Sequence, residues 1–167
     1  IFSSLNSLGV NIIRDATVTL YKFTDFFQGF EKIEQVRDLF KEDTKKVLKD
    51  LNIEFFSSKS GYMGVSDDDG HIRISSHYLK TGDERSIYLD IIHELVHVRQ
   101  FFEGKALFDR NYDYCDRPTE VEAYEITVEE AKKIGMTYEE IVDHLQVDWM
   151  DDEDLKKLIT NIKFKEF

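Results

Sequence analysis

The chain has 167 residues, 41% hydrophobic and 34% charged, with a net charge of −12 and a sequence pI near 4.8. That length suits one domain with a sizeable core, and 13 Phe and 8 Tyr make the chain too apolar for a disordered acidic tail. An acidic surface repels phosphate backbones and anionic lipid heads, so nucleic acid is not an expected partner. No apolar run approaches the roughly 20 residues of a membrane span, and the opening Ile1–Leu5 has no cationic stretch of the kind that starts a secretory signal. The lone Cys115 excludes an internal disulfide framework, a multi-cysteine zinc ribbon and an iron–sulfur centre, and fits a cytoplasmic location.

With one Pro, 8 Gly and no Ser/Gly-rich linker, nothing marks a domain boundary, so residues 1–167 are expected to form a single unit. Its parts are a helical N-terminal portion (1–60), a core (61–135) and C-terminal helices (136–167). Ile12, Ala16, Leu20, Phe23 and Phe27 recur at helical spacing and predict a first helix, with Gly29 ending it. Val36, Leu39, Phe40, Val47, Leu48 and Leu51 predict a second. The period then shortens: 53–56, 61–65 and 71–79 read as strands, the last two joined by Asp67-Asp68-Asp69-Gly70. Counting from Asp67, the twelfth position of an EF-hand loop falls on Tyr78, so the aspartates read as a solvated turn. Helices are predicted over about 84–103, 118–134, 137–145 and 152–162, giving an α+β class with a small mixed sheet.

Chemistry concentrates in one segment, Asp90-Ile91-Ile92-His93-Glu94-Leu95-Val96-His97. On a helix, residues four apart lie one turn above the other, so His93 and His97 can share one metal ion. Glu94 then stands beside that ion as a general base for a metal-bound water. One zinc ion suits imidazole and carboxylate ligands and lowers the pKa of its water to about 7. The flanks Ile87, Leu89, Ile91, Ile92, Leu95 and Val98 mark a buried helix. A stripe of ionisable groups on such a helix is costly unless something binds it.

A third ligand is required. The metzincin pattern needs Gly at 100 and His at 103, where this chain has Gln100 and Glu103. A deformylase-type Cys would precede the motif, whereas Cys115 follows it. A Glu from the next helix remains, and Glu120 and Glu122 compete for the role. They lie about 200° apart around a helix, so only one can face the metal. Thr119-x-x-Glu122 reads as a capping box, which occupies Glu122 structurally and favours Glu120. Ala123, beside Glu120's face, leaves room for the two helices to approach closely.

His93-Glu94-x-x-His97 followed after 22 residues by Glu120-x-x-Ala123 resembles the gluzincin clan of zinc metallopeptidases. In size and composition the chain is similar to the minigluzincins, compact archaeal proteins sharing a catalytic core with membrane CAAX-type peptidases. The resemblance spans about residues 70–134. It implies a zincin-like fold, Glu120 as third ligand, a peptide or protein substrate and hydrolysis of peptide bonds. Many clan members carry Asp four residues after the ligand Glu; this chain has Tyr124, a phenol that could donate to substrate.

In zincin-like folds the strand before the motif helix borders the cleft, which here predicts the 71–79 strand, open to β-augmentation by substrate. His71 and His77 then line the cleft or the surface, and His144 reads as solvated. The alternative to an enzyme is a zinc-binding module of the same shape, with the metal as a cross-link; Glu94 argues against it, since a cross-link needs no base. A non-peptidase hydrolase is the third reading.

Overall fold

The structure, a computed structural model, describes residues 4–15 and 20–167. Its class is α+β: helices outweigh two small sheets. The N-terminal part departs from the predicted helix over 12–27. In its place lie β1 (Asn11–Ile12), β2 (Leu20–Lys22), a single turn α1 (Phe23–Phe26) and β3 (Phe27–Gln28), with β1 and β3 paired antiparallel. Ala16 lies outside the described residues. The aromatic positions that suggested a stripe are buried, but as a ring cluster: Phe23 meets Phe27 at 5.1 Å and Phe30 at 5.7 Å between centroids. Leu20, counted in the stripe, is 64% exposed on its strand. Gly29 marks a close backbone crossing, because at φ +87° a Cβ there would lie 1.9 Å from the Gly9 carbonyl oxygen.

The second predicted helix is present but broken. α2 (Glu34–Phe40) and α3 (Thr44–Asp50) flank a 3₁₀ turn at Lys41–Asp43, where Lys41 adopts φ +53°. Val36, Leu39, Phe40 and Leu48 are buried as their spacing requires.

The strands β4 (Asn52–Phe56), β5 (Met63–Val65) and β6 (Ile72–Ser75) join β2 in the order β2-β4-β6-β5. β4 and β6 run parallel, with Ile53 opposite Ile72 and Phe55 opposite Ile74. β5 returns antiparallel to β6 through the Asp67–Gly70 turn. Gly70 adopts φ +80°, and a Cβ there would stand 2.5 Å from the Phe101 ring.

Two corrections follow for the segment 71–79. The strand ends at Ser75, whose Oγ accepts from the Tyr78 amide at 3.2 Å and so caps a short helix, α4 (Ser76–Thr81). β6 is also interior, flanked by β4 and β5; the free edge on that side is β5. Substrate pairing with β6 is therefore blocked by β5 itself.

α5 (Glu84–Phe102), α6 (Pro118–Lys133), α7 (Tyr138–Leu145) and α8 (Asp152–Asn161) fall within a residue or two of their predicted spans. α5 and α6 pack closely, with Ala123 fully buried and the Tyr88 hydroxyl donating to Glu130 Oε1 at 2.6 Å. Ala123→Phe is expected to destabilise the fold by roughly 1–3 kcal/mol through overpacking, read as a shift in the denaturant midpoint. Among the described residues, no helix is long and apolar enough to cross a membrane.

Candidate metal centre

α5 starts where the Asp83 side chain accepts the Ser86 amide at 3.0 Å, and it then runs through the middle of the molecule. Its HExxH turn is buried: His93, Glu94 and His97 are 8%, 7% and 6% exposed, and Glu120 on α6 is 6% exposed. The His93 and His97 Nε2 atoms stand 3.1 Å apart, and Glu120 Oε2 lies 3.0 and 3.2 Å from them. A tetrahedral ion with ligands at 2.0–2.2 Å separates its donors by roughly 3.3–3.5 Å. The triangle of donors is thus close to what a shared ion requires, and His93, His97 and Glu120 lie close enough together to hold one.

The chemistry of the donors agrees. Gln100 is fully buried, and its Nε2 donates to the Thr119 carbonyl at 2.9 Å and to Glu122 at 2.7 Å. Its Oε1, 2.7 Å from His97 Nδ1, must therefore be the acceptor. That bond holds the proton of neutral His97 on Nδ1 and leaves the Nε2 lone pair facing the centre, the form in which imidazole binds metals. Gln100, which shares the polar stripe of the helix with His93, Glu94 and His97, thus orients His97 toward the centre. Gln100→Leu should weaken metal binding about 10- to 100-fold, measured by competition with a chromogenic chelator.

Glu122 does have a structural job, but not the predicted one. α6 begins at Pro118 with Arg117 as its N-cap, two residues earlier than a Thr119 cap requires, and Thr119 Oγ1 donates to the Leu107 carbonyl at 3.3 Å. Glu122 instead pairs with Arg99 and accepts from Gln100, tying the two helices together beside the centre.

Burial disfavours charge on Glu120, but hydrogen bonds from His93 and His97 outweigh it and hold the carboxyl well below its usual range. Burial likewise opposes the His97 cation, yet Glu120 and its neighbours win and lift it to about 9. Without metal the centre therefore keeps a proton. Because the folded value exceeds the ordinary 6.5, this contribution to stability is full below pH 6.5 and is lost as pH rises through about 9. Metal-free protein should accordingly melt at lower temperature near pH 10 than near pH 6. Metal should abolish most of the difference, because it replaces the proton.

Glu94 accepts no hydrogen bond at its buried Oε2, and burial pushes its pKa up. It lines a cleft with His93, Tyr114 and Tyr124. Tyr124 packs edge-on against His93 at 4.5 Å and shares a 2.8 Å hydrogen bond with the Tyr114 hydroxyl; burial raises both phenols. The β5 residues Met63, Gly64 and Val65 border the same centre, as do Leu107 and Phe108.

The remaining histidines divide. His77 is exposed, and His71 is engaged by Asp69 and by Glu54 at 2.8 Å, on the sheet and away from the triad. His144 is not solvated: its side chain is 9% exposed, with Nε2 3.3 Å from Asp90 Oδ1, and it lines the cleft. Its position three residues after the core residue Ile141 was the available signal. Cys115 is buried, and burial pushes its thiol up to about 11, so it is neither a ligand here nor a reactive nucleophile. No family model matches the chain, and no curated protein or solved structure matches it either.

Proposed function

We propose that the chain is a zinc-dependent metallopeptidase with a zincin-like arrangement of gluzincin type, and that Glu94 is its general base. The observation that carries this reading is Glu94 itself. A metal cross-link needs only three or four ligands, yet a fourth ionisable group is buried beside the triad with an unpartnered oxygen. Such a carboxylate is costly to keep, and burial raises its affinity for a proton, as a general base requires.

Zinc, held by His93, His97 and Glu120, would supply Lewis-acid polarisation and a water acidic near neutral pH. The other steps belong to the protein. A peptide adds as a strand along the free edge of β5, so that its scissile carbonyl reaches the centre. Glu94 takes a proton from the attacking water and returns it to the leaving amine. The Tyr114–Tyr124 pair can share one hydrogen bond and still has one hydroxyl proton to donate to the carbonyl oxygen as it gains charge.

Incubation with a broad peptide library, followed by mass spectrometry, tests the proposal. Internal cleavages that disappear with a chelator support it. A metal-loaded protein that cleaves nothing favours the binding-module reading.

A further inference from the structure

The cleft beyond Glu94 has an unusual lining. It encloses about 520 Å³ between α5, the approach to β5 and the α7–α8 connection. Asp90 and Asp148 face it, and a recess sharing Tyr62, Asp90 and His144 adds Asp83 and Asp143. Among the described residues, no lysine or arginine lines either space.

An acidic surface alone would mean little in a chain of charge −12. Some carboxylates elsewhere are paired with a cation, as in Arg99–Glu122 and Lys157–Asp116, and many are not. Among the described residues, no lysine or arginine pairs with Asp90, Asp143 or Asp148; His144 is engaged by Asp90 at 3.3 Å, and the nearby Arg85 is paired with Glu140. Two further features point to a cation. The buried Glu94 oxygen with no hydrogen-bond partner belongs to the same cleft. Tyr114 and the 57%-exposed Trp149, packed edge-to-face at 4.7 Å, offer aromatic faces of the kind that attract ammonium and guanidinium groups.

We infer that this end of the cleft is a subsite for a positively charged group of the substrate, either a lysine or arginine side chain or a free α-amino end. The inference rests on the peptidase reading and names what that centre selects. Asp148, anchored by the Tyr62 hydroxyl at 2.7 Å, and Asp90 supply the charge.

Trp149 is the sole tryptophan, so its fluorescence reports occupancy directly. Three probes separate the sources: N-acetyl-lysine amide (side-chain cation), norleucine amide (free α-amine) and N-acetyl-norleucine amide (neither). Each is titrated into chelator-stripped and into zinc-loaded protein. At least one cationic probe should bind about tenfold or more tighter than the neutral one, and which one binds identifies the source. Asp148→Asn should cut that ratio several-fold, and raising salt from about 0.05 to 0.5 M should weaken only the cationic probes. Equal binding of all three, no binding of any, or a ratio unmoved by both salt and Asp148→Asn would overturn the inference. Peptide cleavage without cation preference removes the subsite alone; cation binding without any cleavage removes the peptidase reading alone.

Discussion

Changing Glu94 to Gln is expected to give a folded protein that still holds metal but has lost peptide hydrolysis by a factor of about 100 or more. The substitution conserves shape and leaves a carbonyl at nearly the same place, but an amide cannot accept the proton. Folding should survive because the buried Glu94 Oε2 makes no hydrogen bond that the amide would break, and removing a buried ionisable group relieves a desolvation cost. Circular dichroism and metal content establish that the variant is intact; the rate on any peptide the parent cleaves gives the effect. A variant as fast as the parent would mean that Glu94 moves no proton.

The second large effect separates two glutamates two positions apart. Glu120→Ala should weaken metal binding by about a thousandfold or more, because it removes one of the three groups close enough to share an ion and the only carboxylate bonded to the two imidazoles. Glu122→Ala should weaken it by no more than about tenfold. Glu122 supports Gln100 and Arg99, but Gln100 retains the Thr119 carbonyl and therefore its hold on His97. Competition with a chelator of known affinity measures both. The reverse order would place the wrong face of α6 toward the centre.

The centre was legible in the sequence because a helix converts spacing directly into geometry. His93, Glu94 and His97 needed no tertiary information to be placed together, and Glu120 needed only the choice between two faces of one helix. The choice of Glu120 agrees with the structure although the reason given for Glu122 was mistaken: that residue braces Arg99 and Gln100 and does not close a capping box. The role of Gln100 depends on the Thr119 carbonyl in the first turn of α6, a contact that spacing along α5 does not reveal. His144 was misread for a similar reason, since Asp90 reaches it only once α7 has packed against α5.

Long helices with continuous apolar faces were read almost to the residue, whereas short elements were not. Between residues 11 and 28, two-residue strands pair across the fold, and Phe23, Phe27 and Phe30 satisfy a ring cluster as readily as a helical stripe. The strand expected over 71–79 stops at Ser75 because that serine caps a helix that alternation alone does not signal. The hairpin that pairs 61–65 with it is present as the Asp-Gly turn implies, but that this partner covers the cleft side of β6 is a tertiary property. That order moves the proposed peptide track from β6 to β5.

The most direct test of the account is a zinc titration of chelator-stripped protein in which peptide hydrolysis is followed at each addition. Activity should rise in step with bound zinc and stop rising at one ion per chain. Hydrolysis that survives stripping, or one tightly bound zinc with no hydrolysis of any peptide, would contradict it.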